Sequence, residues 1–114
     1  MPTQSWKEVD SYYEKRSKKD GRPFEQMLQL VRYLEASQDA DKLFPYTSQD
    51  VLHIASVQMP SLNDKELQVQ FNPNNSSFIF THSHFLTSST CEETEWKHTL
   101  KHELLQCFPN LTKG

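Results

Sequence analysis

LQVQFNPNNSSFIFTHSHF, residues 67–85, is the stretch from which the fold is read. Leu67, Val69 and Phe71 alternate with Gln68 and Gln70, the period of two expected of a strand with one dry and one wet face. NPNNSS then supplies a turn: Pro73 fixes one backbone angle, and Asn74 or Asn75 can take the left-handed conformation. Phe78 and Phe80 face one way, with Ile79 and Thr81 the other. The stretch is predicted to be a β-hairpin whose second strand runs out into His82 and His84.

The flanking chain offers partners for that hairpin. Upstream, VLHIASV, Val51 to Val57, reads as a third strand by its β-branched content, with a helix capped by Thr47 or Ser48 as the alternative. A third strand is preferred because an isolated two-stranded hairpin is marginal in water. MPSLNDK, Met59 to Lys65, reads as a loop. Downstream, Leu86 to Thr90 reads as a connector. A helix is predicted from near Cys91, with Thr90 and Glu93 or Ser89 and Glu92 as a capping box and Trp96, Leu100, Leu104 and Cys107 as its buried face. Pro109 ends it.

Two helices precede the strands. Ser5 and Glu8 form a capping box, Trp6, Val9 and Tyr13 follow at helical spacing, and Gly21 and Pro23 punctuate the chain, so a first helix is predicted to stop near Ser17. Phe24, Met27, Leu28, Val31 and Leu34 make a continuous apolar face over Pro23 to Ser37. Ser37 to Phe44 is read as a further turn or two of helix, ended at Phe44-Pro45. The expected fold is therefore α+β: one domain over residues 1–114 in the order α-α-β-β-β-α, a three-stranded antiparallel sheet with helices packed on one face.

Composition excludes several functions. Twelve Lys and Arg against fifteen Asp and Glu give a net charge of −3, so nucleic acid is not an expected partner. The basic cluster Lys15, Arg16, Lys18, Lys19 and Arg22 is interrupted by Asp20 and carries no interleaved aromatics. Gly21 and Gly114 are the only glycines, too few for a phosphate-cradling loop or a nucleophile elbow, and no cofactor is expected. There is no signal-like N-terminus and no long apolar run, so the expectation is a soluble cytoplasmic protein with no membrane partner. Cys91 and Cys107 are expected to be free thiols.

Histidine is the commonest metal ligand, which directs attention to five of them. His98 and His102, four apart, share a helix face with Glu95, opposite Trp96 and Leu100. His82 and His84 share a strand face. If the two pairs met, His82, His84, His98 and His102 would supply four nitrogen ligands to zinc, nickel or copper. The helical pair faces away from its own apolar stripe, which opposes that meeting. The string His102-Glu103-Leu104-Leu105-Gln106 departs from the zinc-protease pattern, because Gln106 stands where the second imidazole is required. Glu95 to His98 occurs once, whereas helical di-iron sites need two such copies. His53 reads as a sheet histidine and Cys91 as a structural thiol.

The function expected from these residues is a non-catalytic protein-binding or regulatory domain that contacts another protein or a second copy of itself. Trp6, Tyr12, Tyr13 and the outward Leu105 are its candidate contact residues. The alternative is a histidine-based metal-binding protein or metal-dependent hydrolase.

Overall fold

A computed structural model describes residues 3–58, 60, 64–82, 87–109 and 111, without the side chains of residues 22 and 87. Among the described residues it is α+β with three helices, but the sheet has five strands rather than three. The order is α1 (Trp6–Asp20), α2 (Arg22–Glu35), β1 (Phe44–Ser48), β2 (Val51–Ala55), β3 (Glu66–Asn72), β4 (Ser77–His82), β5 (Thr87–Glu92) and α3 (Trp96–Cys107), with a 3-10 turn at Ala40–Lys42. The strands form an antiparallel meander in chain order.

The two strands not anticipated are the edges. β1 contains Pro45, which has no N–H to give a ladder and is tolerated only where one side of a strand is unpaired. The predicted extension of α2 through 37–44 is replaced by turns, because β1 begins at Phe44 and pairs with β2 along its length. β5 occupies what reads as a connector and the first turn of α3. Its Thr and Ser side chains lack the hydropathy contrast that reveals a strand, yet it pairs with β4 from Thr87↔His82 to Glu92↔Ser77. Neither Thr90–Glu93 nor Ser89–Glu92 caps α3. That helix starts at Trp96 after Glu95, which makes no side-chain cap.

Elsewhere local chemistry and structure agree. Ser5 and Glu8 form the reciprocal capping box of α1, which runs on to Asp20 rather than ending near Ser17. Gly21, at φ 79°, separates α1 from α2 where an L-residue would be strained, and Pro23 lies in the first turn of α2. The hairpin is present with Leu67↔His82 and Phe71↔Phe78 in register. Ser76, not Asn74 or Asn75, takes the left-handed angle in its turn, at φ 52°. Asn72 and Asn75 instead accept hydrogen bonds from Asn74 N–H and the Ser77 hydroxyl.

All three helices cover one face of the sheet. Leu52 and Ile54, Leu67 and Val69, and Phe78 and Phe80 meet Val9, Tyr13, Leu30, Val31, Leu34, Leu100 and Leu104 in one apolar cluster. Each such side chain contributes about 1.5 to 3 kcal/mol on burial. Loss of any one is therefore significant against a total stability of about 5 to 15 kcal/mol. The β1–β2 turn is fastened to this layer through α1. Gln49 and Asp50 take φ of 53° and 66°, a two-residue turn whose twist suits a hairpin but usually calls for Asn or Gly. Asp50 is held by the Tyr12 hydroxyl, by Arg16 Nη1 at 2.9 Å and, at its carbonyl, by the Tyr13 hydroxyl at 3.2 Å.

Candidate binding cleft

The described histidines are dispersed. His82 is 5% exposed, on the helix-facing side of β4, and hydrogen-bonds through Nε2 to Glu103 of α3. Glu103 is itself 7% exposed, and its other carboxylate oxygen accepts from the Ser89 hydroxyl at 2.8 Å. His98 and His102 are exposed on the outer side of α3. His84 lies outside the described residues. Among the described residues no group of three or more His, Cys, Asp and Glu is placed to hold a metal ion.

Glu103 is the member of this buried set that the sequence reading overlooks. It stands three residues after Leu100 and four before Cys107, so helical phasing alone puts it on the buried face. A carboxylate there needs polar partners. His82 and Ser89 provide them, which makes the cluster an internal tie between β4, β5 and α3.

A second polar cluster occupies the other side of the sheet. His53 stacks on Tyr46 with ring centroids 4.5 Å apart, and its Nδ1 lies 3.1 Å from Glu66 Oε1. The Tyr46 hydroxyl donates to the same carboxylate, 2.7 and 2.8 Å from its two oxygens. Burial first, and then the Glu66 carboxylate, push the Tyr46 phenol well above its ordinary range. The arrangement keeps Tyr46 as a neutral donor and fastens β1, β2 and β3 across their open face.

The remaining candidates are mostly absorbed into packing. Cys91 sits in β5, not at a helix N-terminus, and burial above all raises its thiol pKa. Tyr13 is fully buried, and Trp6 and Tyr12 pack against the core. The Trp6 indole N–H is shared by the carbonyls of Ala40 at 2.9 Å and Leu43 at 3.1 Å. Arg16 of the basic cluster is paired with Asp20 and Asp50. No helix among the described residues is long and apolar enough to cross a membrane.

Leu105 has a different setting. It lines a cleft of about 180 Å³ between α2, the 37–43 segment and α3. Leu34, Leu43, Leu100 and Leu104, all buried core residues, also line it. Tyr33, 39% exposed and edge-on to Trp96, lines it from α2. Ser37, Gln38, Asp39 and Lys101 contribute its polar groups, and among the described residues neither histidine nor cysteine belongs to the lining. An apolar cavity of about 150 Å³ can hold benzene, so this cleft has room for one aromatic or branched aliphatic group.

In comparisons with protein-family models, curated proteins and solved structures, nothing matches this chain.

Proposed function

We propose that the protein is a non-catalytic binding domain that docks another polypeptide by taking one of its apolar side chains into the cleft between α2 and α3. The observation that carries this reading is the chemistry of the lining. Leucines and a half-exposed tyrosine surround a volume suited to one side chain, with a few polar groups to orient the neighbouring backbone. Acid–base or nucleophilic catalysis calls for a positioned titrating group beside the reacting atom. Among the described residues the cleft lining has no histidine–nucleophile pair, and the His82–Glu103 and His53–Glu66 pairs serve as ties within the fold.

The test is selection of peptides from a random library, followed by amide chemical-shift mapping. Bound peptides are expected to share one aromatic or leucine anchor and to shift the signals of Tyr33, Leu100, Leu104 and Leu105. Leu105→Lys should weaken them about tenfold by introducing a charge beside the apolar pocket. Selected peptides that leave those four signals unmoved, or that bind Leu105→Lys as they bind the parent, would overturn the assignment.

A further inference from the structure

The two edges of the sheet are treated differently. Along β1 two of the outward groups are already engaged: the Gln4 amide donates to Pro45 O at 2.7 Å, and the Thr47 amide donates to the Gln4 side-chain oxygen at 3.0 Å. Pro45 itself offers no donor. Thr3 extends the closure by donating from its amide to Gln58 O at 3.0 Å. At the other edge β5 pairs with β4 alone among the described residues. An edge strand of this kind presents a row of N–H and C=O groups to any strand laid beside it.

Beyond Glu92 at its end, β5 carries none of the usual devices by which edges are protected. TSSTCE contains no lysine, arginine or proline, and it keeps one-to-one register with β4 over all six residues, with no bulge to turn it away. Ser88, Thr90 and Glu92 are exposed on the open face of the sheet. There the Thr81 and Ser88 hydroxyls already form a cross-strand contact at 3.1 Å, of the kind that stabilises neighbouring strands.

The geometry points to self-association: two copies pair antiparallel through β5, extending the sheet across a two-fold axis. With the axis at Ser89, Ser88 of each copy faces Thr90 of the other, so hydroxyl meets hydroxyl on the open face. Glu92 is the single carboxylate of the strand. In this register the two Glu92 residues stand about 20 Å apart along the strands, beyond the screening length of about 8 to 10 Å, so like charges do not meet. The closed β1 edge then limits growth to a dimer, because neither outer edge of the joined sheet offers another free row. A foreign strand would satisfy the same backbone groups, but the two-fold arrangement also matches β5 to itself in side-chain size and charge.

This surface is separate from the α2–α3 cleft, which makes the two assignments independently testable. Sedimentation of the full chain from about 10 μM to about 1 mM should show a monomer–dimer equilibrium, and Thr90→Lys should weaken it about tenfold or more by placing two like charges, one from each copy, on either side of the junction axis. Leu105→Lys, in the cleft, should leave it unchanged. A wild-type chain that remains monomeric at the highest concentration overturns the proposal. So does a folded Thr90→Lys protein that dimerises normally, or a dimer abolished by Leu105→Lys. Should Thr90→Lys not fold, hydrogen exchange of the wild type decides: amide protection across 87–92 that rises with protein concentration supports the pairing, and concentration-independent protection overturns it.

Discussion

Glu103 of α3 reaches down to the sheet and hydrogen-bonds His82 of β4 in an environment where both residues are almost fully buried. A carboxylate in that position is stable only while its oxygens are engaged, and Ser89 of β5 engages the second one. The helix that carries the cleft is therefore seated on the sheet by a polar contact as well as by Leu100 and Leu104.

Removing one member of that contact should cost more than removing both. Glu103→Ala leaves the buried His82 imidazole without the carboxylate and is expected to destabilise the fold by about 2 to 4 kcal/mol. The double change His82→Leu with Glu103→Leu replaces the tie with apolar volume and should recover much of the loss. Urea denaturation of the single and double variants measures both. Additive losses would show that the pair is not energetically coupled.

The β1–β2 turn offers a stabilising change. Gln49 holds a left-handed angle without being glycine, at a cost of about 1 kcal/mol. Gln49→Gly should raise stability by about 0.5 kcal/mol after the greater flexibility of glycine in the unfolded chain is subtracted. Asp50→Gly should do the reverse. It relieves the same angle but removes the carboxylate bound by Tyr12 and Arg16, for a net loss of about 1 kcal/mol. Thermal melts of the two variants should shift in opposite directions.

Alkaline pH should weaken the fold. Burial raises the Cys107 thiol from its ordinary 9.0 to about 11, and burial also lifts the Tyr13 and Tyr46 phenols well above 10.0. Folded-state values above the unfolded ones mean that the folded chain keeps protons that the unfolded chain releases. The stability from these groups is thus intact below pH 9 and declines as pH climbs through and beyond that value. Denaturation midpoints at pH 7, 9 and 10.5 should fall in that order. The decline should be shallower in Cys107→Ala after allowance for the lost side chain.

The two thiols should differ in reactivity. Cys107 is 2% exposed, whereas Cys91 is only partly buried. With an aromatic disulfide reagent at pH 8, Cys91 should react first, and Cys107 at a rate that rises with denaturant as opening of the fold exposes it. Equal rates in native buffer would contradict the packing around the end of α3.

Trp6 joins the start of α1 to the chain ahead of β1 through one shared indole proton. Trp6→Phe keeps the ring but leaves the carbonyls of Ala40 and Leu43 without that donor, an expected cost of about 1 to 2 kcal/mol. Chemical denaturation would measure it, and a neutral result would show that solvent replaces the indole.

Sequence by itself determined the parts whose instructions are local. The α1 capping box, the break at Gly21, the apolar face of α2 and the alternation of β3 and β4 are readable because their residues contrast along the chain. His98 and His102 are equally readable as outward, since helix phase alone opposes them to Trp96 and Leu100. Tertiary structure decided the rest. β1 carries a proline and β5 is built of small hydroxyl residues, so neither has the hydropathy contrast of a central strand, and only pairing with β2 and β4 makes them strands. Helix phase puts Glu103 on the buried face, but its partners His82 and Ser89 arrive from distant positions and are decided by the fold. The cleft exists only where Leu34, Leu43, Leu100 and Leu105 converge: each is an ordinary apolar residue in its own segment, and concavity is a property of segments packed together.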